Sequence, residues 1–160
     1  MTMSALMASI CDPRSEANIA TLLPAAARAA WALLARVNDG RLGPGIVVKV
    51  IAGTRTYAEQ EALYAQGRTA PGTIVTNAPA GYSNHNFGIA FDVGIFNGAL
   101  YLDDSPLYAR VGQEGREMGL KWGGDWTSFP DKPHFQLSSS YSLAQVRQLV
   151  AEGKWEGLWG

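Results

Sequence analysis

Two histidines and two aspartates stand in short motifs whose side chains could hold a metal ion. The 160-residue chain has only two histidines. His85 and Asp92 lie seven positions apart in "SNHNFGIAFD", and Asp131 precedes His134 by three in "DKPHFQ". Two imidazoles, one carboxylate and an open fourth position make a tetrahedral catalytic zinc site, in which the pKa of bound water falls from about 15.7 to about 7. A further carboxylate must take the proton of that water, and Asp131 is the candidate.

The strand pattern around Asp92 predicts its surroundings. In "GIAFDVGIF" strict alternation sends Ile89, Phe91, Val93 and Ile95 to one face and leaves Asp92 on the other, between Ala90 and Gly94 and together with Phe96. We expect these small neighbours to leave space for an ion, a water or a peptide. An acid in the middle of an apolar strand would be costly without a cation.

The second histidine follows a stiff segment. Pro133 disfavours a helix just before His134, so His134 and Gln136 are predicted to share one face of a strand. Pro130 and Pro133 restrict the stretch that contains Asp131, which suits a preorganised site. Asp131 could also be a plain turn residue, because proline and aspartate both favour turns.

Four helices and a few strands are predicted to position these motifs. A first helix begins at Pro24, and "GIVVKVIAG" is typical of a largely buried strand. Thr56 and Glu59 form a capping-box pattern at the start of the second helix. Arg55 therefore lies at a junction between strand and helix.

The rest of the chain alternates loops with short elements. The Gly, Pro and Asn-rich stretch "APGTIVTNAPAGYSNHN" predicts a loop of about 15 residues, a length that is more often functional than idle. A third helix is predicted from Ser105 to Gly119, followed by a short strand "LKW". Ser142 is predicted to cap a last helix.

Composition excludes several function classes. Charged residues make up 17% of the chain and the net charge is -1, so the sequence has neither the basic stripe that binds nucleic acid nor a polybasic membrane patch. Its apolar stretches are shorter than the roughly 20 residues of a membrane span. We therefore expect neither nucleic-acid partners nor membrane insertion. We also expect the protein to be a monomer.

The length favours one domain over residues 1–160. Residues 1–12 are expected to form a loose N-terminal tail, and residues 142–160 a terminal helix and tail. The stretch "MTMSALMASI" lacks the charged start of a signal peptide, so we expect synthesis in the cytoplasm without one. The single cysteine, Cys11, cannot form an internal disulfide.

These motifs resemble a known family. The sequence is similar to the zinc peptidases that include D-Ala-D-Ala metallopeptidases and phage L-alanyl-D-glutamate endolysins, over about residues 12 to 137. The stretch "GTRTYAEQEALYAQGRT" also resembles endolysin-type members. The residues that carry the resemblance lie in three motifs: Ser83, His85, Gly88, Ala90 and Asp92; Trp122 and Asp125; Asp131 and His134.

The resemblance implies a role for each site residue. It makes His85, Asp92 and His134 the zinc ligands and Asp131 the catalytic base. It implies that Arg55 holds or polarises a substrate carbonyl or carboxylate, with Ser83, Gln60 and Trp122 as further substrate contacts. Trp122 is equally typical of a core or groove wall, and the role of Asp125 stays open.

The resemblance also implies a fold and a place of action. The fold would be α+β, a small antiparallel sheet backed by helices of the Hedgehog and D-Ala-D-Ala-peptidase type, with the metal in an open groove. The substrate would be a peptidoglycan stem peptide, cut between L-alanine and D-glutamate. The protein would act on the cell wall in the periplasm after release during phage lysis.

Other functions stay open on the sequence alone. A D,D-carboxypeptidase or dipeptidase of the same family would use the same residues. Two histidines and one carboxylate also form the facial triad of iron(II) oxygenases, although the wide spacing from His85 to Asp92 speaks against it. A wall-binding module with a structural zinc is a further alternative, against which Asp131 argues.

Overall fold

The computed structural model describes residues 12–159. Cys11 and all but the last residue of the predicted tail 1–12 lie outside the described residues. The helices of the described part, numbered α1 to α5, are Pro13–Ile19, Pro24–Val37, Tyr57–Ala65, Leu107–Glu117 and Leu143–Ala151. The strands, numbered β1 to β5, are Ile46–Ala52, Ala90–Asn97, Leu100–Leu102, Lys121–Trp122 and His134–Gln136. Short 3-10 helices cover Asn84–Phe87, Gly123–Asp125 and Glu156–Trp159.

The five strands form one antiparallel sheet in the order β1-β2-β5-β4, with β3 paired to β2. β2 is the central strand, and its residues Ala90 to Ile95 are almost completely buried, apart from Asp92. The chain returns to β5 only after α4 and the turn at 123–125. The sheet therefore brings motifs from residues 90–97 and 134–136 side by side.

The helices α1, α2 and α4 pack against the sheet. α2 buries one stripe against β1 and β2, consisting of Ala26, Ala30, Leu33, Leu34 and Val37. Phe91 of β2 stacks on Phe135 of β5 with ring centroids 5.9 Å apart. This apolar layer fixes the strand faces, so polar residues of β2 and β5 must project from the opposite side.

The predicted α+β fold with a small antiparallel sheet backed by helices is confirmed. The capping box of Thr56 and Glu59 is present at the start of α3. Ser142 caps α5, and its capping-box partner is Gln145. No helix within residues 12–159 is long and apolar enough to cross a membrane.

The sequence prediction of four helices missed α1. Asp12 caps this helix by accepting hydrogen bonds from the N–H groups of Arg14 and Ser15, and Pro13 occupies its first turn. At seven residues it is too short to show a helical period of apolar positions, which explains why the pattern overlooked it.

α1 fixes an irregularity at the end of β1. The pairing of β1 with β2 shifts register between Val50 and Ala52. The Ser15 hydroxyl accepts a hydrogen bond from Val50 N–H at 3.0 Å, and the Asn18 amide donates to Val50 O at 3.0 Å. Both backbone groups of the strand are therefore satisfied by the helix at the bulge.

Replacing Ser15 with alanine should destabilise the protein through this contact. The buried Val50 N–H would lose its partner, which costs about 1–3 kcal/mol of unfolding free energy. Urea unfolding of Ser15→Ala, with the exposed Ser140→Ala as a matched control, measures the loss. Equal stability of the two variants would contradict the contact.

Candidate metal centre

Three side chains converge at the polar side of the sheet. His85 Nε2 lies 3.1 Å from Asp92 Oδ1 and 3.2 Å from His134 Nδ1. His134 Nδ1 lies 3.4 Å from the same Asp92 oxygen. These three atoms thus form a nearly equilateral triangle, and they are the group of potential metal ligands found within residues 12–159.

The sheet register places two of the three residues. Asp92 of β2 and His134 of β5 are directly paired across the strands. Val93 N–H donates to Pro133 O at 2.9 Å, which continues the pairing just before His134. Cross-strand neighbours have Cβ atoms about 4.5–5.5 Å apart, so their polar atoms can reach a common point.

His85 reaches the same point from a 3-10 helix. Ser83 caps this helix by accepting a hydrogen bond from His85 N–H, and Gly88 ends it with a left-handed φ of 76°. A Cβ at Gly88 would press against Leu23, so a larger residue would shift the turn. Arg55 N–H donates to His85 O at 2.9 Å, which ties the helix to the end of β1.

The outer nitrogens of both imidazoles have acceptor partners. His85 Nδ1 lies 2.9 Å from Gly53 O, and a carbonyl can only accept, so this nitrogen carries a proton. His134 Nε2 lies 2.8 Å from Gln136 Oε1, which also accepts a hydrogen bond from Asn84 Nδ2. In the neutral rings assigned from these partners, the inner nitrogens present lone pairs to Asp92 and to each other.

Three converging electron pairs repel one another unless a positive charge lies among them. Burial raises the pKa of Asp92, but the charges and hydrogen bonds of His85 and His134 outweigh it and hold that pKa well below its usual range. Burial likewise lowers the pKa of His134, yet the hydrogen bond and charge of Asp92 raise it above the ordinary value. The three atoms therefore favour a positive charge among them, whether a proton or another cation.

The dimensions of the triangle fit a divalent ion such as zinc. Zinc bonds of about 2.0–2.1 Å place tetrahedral ligands about 3.3–3.4 Å apart. The three observed separations run from 3.1 to 3.4 Å. Both imidazoles are almost completely buried, at 2% and 4% exposure, so their orientations are fixed by packing.

Arg55 lies beside the triangle. Its Nη2 donates to Asp92 Oδ2 at 3.0 Å, the oxygen that does not face the two imidazoles. Its Nη1 donates to Gln60 Oε1 at 3.3 Å, and the Gln60 amide donates to Ala78 O at 2.8 Å. Arg55 thus orients the aspartate while it lines the adjoining groove.

Asp131 lines the same groove as the triangle. Its N–H donates to Gly123 O, and its carbonyl accepts from His134 N–H, so the backbone fixes its distance from β5. Burial raises the pKa of its carboxyl group, and the negative charge of Asp92 adds to that effect. A carboxyl group with a raised pKa is suited to accept and return a proton.

The groove has a volume of about 810 Å³ and two walls. The predicted long loop forms one wall with residues 75–79 and 82–84. Trp126 and Phe129 line the other wall, and the Trp126 ring lies 4.9 Å from the His134 ring. Phe129 is half exposed and has a left-handed φ of 54°, which is uncommon for a bulky residue.

Three predicted substrate contacts take different positions. Ser83 lines the groove, in addition to capping the helix that carries His85. Gln60 is completely buried and Trp122 is 8% exposed, and both lie outside the groove lining. Their polar groups bond Arg55, Ala78 O and Lys132 O inside the protein, and a direct contact of either residue with substrate stays a prediction.

The expected space beside Asp92 is also corrected. Gly94 does not open a gap, since a Cβ there would meet Ile51, Phe96 and Tyr101 at 3.0–3.1 Å. The open side of Asp92 faces the groove between the two loops instead. Asp125 pairs with Arg116 at 2.7 Å on an exposed surface.

Sequence reasoning missed the groups that orient the ligands. Gly53 acts through its carbonyl, and a backbone group leaves no residue-type signal. Asn84 and Gln136 are neighbours of motif residues, but their mutual hydrogen bond depends on the fold. Gly123 packs so closely on the Asp131 backbone that a Cβ would overlap Asp131 O; its presence in "WGGDW" was the available signal.

Sequence comparison confirms the resemblance to the D-Ala-D-Ala and L-alanyl-D-glutamate peptidase family. Residues 76–137 match the D-alanyl-D-alanine carboxypeptidase family. The chain is 37% identical over 103 residues to the peptidoglycan L-alanyl-D-glutamate endopeptidase CwlK of Bacillus subtilis. That match covers 58% of this chain and 62% of the relative, so the chain spans less than two thirds of it.

Solved structures show the same fold. The L-Ala D-Glu endopeptidase ChiX of Serratia marcescens superposes with a TM-score of 0.58 at 24% identity, covering 79% of this chain and 87% of ChiX. The L,D-carboxypeptidase DacB of Streptococcus pneumonia superposes with a TM-score of 0.54 at 19% identity, covering 87% and 77%. These structures support the sheet and helix arrangement described above.

Metal affinity should rise with pH. His134 has a raised pKa, so its inner nitrogen holds a proton up to a pH above the ordinary value of 6.5, and a metal ion must displace that proton. Below this pKa, affinity should fall by about tenfold per pH unit, and above it affinity should level off. Calorimetric titration with Zn²⁺ at several pH values tests this; a pH-independent affinity without proton release would contradict it.

Proposed function

We propose that this protein is a zinc-dependent peptidoglycan peptidase that hydrolyses the stem peptide, with the bond between L-alanine and D-glutamate as its target. The observation that carries the proposal is the triangle of His85, Asp92 and His134 at the floor of an open groove. The similarity to the endopeptidase CwlK supports the choice of substrate and bond.

In the proposed enzyme, His85 Nε2, His134 Nδ1 and Asp92 would hold the ion. Zinc bound there would supply Lewis-acid chemistry, polarising the scissile carbonyl and acidifying a water molecule. In the neutral rings, the outer hydrogen bonds to Gly53 O and Gln136 Oε1 place the protons on the outer nitrogens and leave the inner nitrogens as electron-pair donors. Trp126 shields one side of the His134 ring from solvent.

Asp131 serves as the general base and acid. Water adds to the peptide carbonyl carbon, its proton passes to the Asp131 carboxylate, and the same proton then goes to the leaving amine as the C–N bond breaks. Burial and the negative charge of Asp92 raise the pKa of Asp131, which makes its carboxylate a stronger proton acceptor than an ordinary aspartate. Its backbone bonds to Gly123 and His134 hold it in register with the ligands.

Arg55 and the groove walls position the peptide. Stem peptides mix L and D centres, so recognition must rely on backbone groups and carboxylates. Arg55 lines the groove and presents a planar fork of donors, which suits a carbonyl or carboxylate of the substrate. Ser83 offers a hydroxyl in the same wall, while the aromatic rings of Trp126 and Phe129 give the peptide an apolar surface opposite.

The proposed place of action is the bacterial cell wall. The resemblance to phage endolysins supports a role in lysis, in which a protein made in the cytoplasm reaches the wall when the phage releases it. The groove carries the charges of Arg55, Asp92 and Asp131 and lacks a basic stripe for nucleic acid in its described lining. The proposed enzyme works as a monomer.

Asp131→Asn should abolish most activity without loss of the metal. Removing the proton acceptor should lower kcat by about 10²- to 10⁴-fold, while zinc affinity stays near that of the wild type. Asp125→Asn is the matched control, because it removes a carboxylate of the same loop region that pairs with Arg116 at the surface. Release of peptides from purified sacculi gives kcat, and calorimetry gives the zinc affinity.

Mass spectrometry of the released fragments identifies the bond. New N-terminal D-glutamate and C-terminal L-alanine are expected. Release of terminal D-alanine would instead indicate the carboxypeptidase activity of the matched family. Equal activity of Asp131→Asn and the wild type would remove Asp131 from the mechanism.

A further inference from the structure

The C-terminal segment, residues 142–159, packs against the turn that carries His85. This segment lies outside the region matched to the family, which ends at residue 137. Val146 and Trp155 form a buried apolar cluster with Phe87 and Ile89. Phe87 belongs to the 3-10 helix Asn84–Phe87, so the segment packs on the turn that carries His85 although it contributes no residue to the triangle.

Two polar contacts bracket this turn. After His85, the Trp155 indole donates to Phe87 O at 2.9 Å in a buried position. Before His85, Arg147 Nη1 donates to Gly81 O at 2.9 Å. The Arg147 guanidinium also lies 4.2 Å from the ring centre of Tyr82, a residue of the groove wall.

The turn needs such support because it is short. A 3-10 helix of four residues has few internal hydrogen bonds, and its last carbonyl groups require outside partners. Trp155 supplies the partner of Phe87 O, and Leu23 N–H supplies that of Gly88 O. A shift of this turn would move His85 Nε2 out of the triangle.

We propose that Trp155 and Arg147 are positioning residues that hold the segment 81–87 in place. Trp155 maintains the metal affinity through the position of His85. Arg147 maintains the position of the groove wall at Tyr82. This inference rests on the proposed function, since it assumes that His85 is a metal ligand and that the groove takes the substrate. Both residues act at a distance from the reacting atoms.

Trp155→Phe tests the first arm. It keeps an aromatic ring in the cluster but removes the donor to Phe87 O, so zinc affinity should fall by about tenfold, as for other groups that orient ligands from outside. Trp159→Phe is the matched control, because its indole nitrogen is buried without a hydrogen-bond partner in the described part of the chain. That control should bind zinc as the wild type does.

Arg147→Met tests the second arm. It keeps the length of the side chain but loses the bond to Gly81 O and the charge over Tyr82. KM for the stem peptide should rise several-fold while kcat and zinc affinity stay near wild-type values. Circular dichroism of each metal-free variant shows whether it is folded. If Trp155→Phe is unfolded, the proposal is decided by Arg147→Met alone.

The outcomes separate the two proposals. A wild type that binds no zinc and cleaves no stem peptide would overturn both. If the wild type is active and folded Trp155→Phe binds zinc equally well, the proposed role of Trp155 alone is overturned. If Arg147→Met has an unchanged KM, the proposed role of Arg147 is overturned. A lower melting temperature without these changes would indicate a merely structural role.

Discussion

The structure depends on one electrostatic constraint, the convergence of three electron-pair donors on largely buried side chains. His85 Nε2, His134 Nδ1 and Asp92 Oδ1 lie within 3.4 Å of one another, and both imidazoles are nearly fully buried. Such a group is stable only with a positive charge at its centre, because buried polar atoms without compensation cost several kcal/mol. The raised pKa of His134 and the lowered pKa of Asp92 have the same cause, because both favour a positive charge on an imidazole beside a negative carboxylate.

Different parts of the fold position the three donors. An apolar layer between α2 and the sheet fixes the faces of β2 and β5, and the strand pairing then opposes Asp92 to His134. The third donor comes from a separate turn, held by backbone contacts to the end of β1 and by the C-terminal segment. The three donors therefore lie on well-packed elements, while the groove walls are formed by loop residues.

The sequence predicts the parts of this arrangement that depend on residue type and period. Alternation in "GIAFDVGIF" separates the buried face from Asp92, and Pro133 indicates the extended start of β5. Contacts of backbone groups have no such signature, so the sequence could not predict that Gly53 O accepts a hydrogen bond from His85. The burial of Gln60 was not foreseen for a related reason, since a polar side chain in an exposed helix pattern gives no sign that its partners lie inside the protein. The bulge of β1 and the helix α1 that holds it depend on packing between distant segments, which local patterns cannot show.

The most direct test of the metal centre is anomalous diffraction at the zinc absorption edge from crystals grown with one equivalent of zinc. A single strong peak should lie about 2.0–2.2 Å from His85 Nε2, His134 Nδ1 and Asp92 Oδ1, with its open side toward the groove. A zinc peak bound by other residues would contradict the proposed centre. So would the absence of a peak between the three side chains.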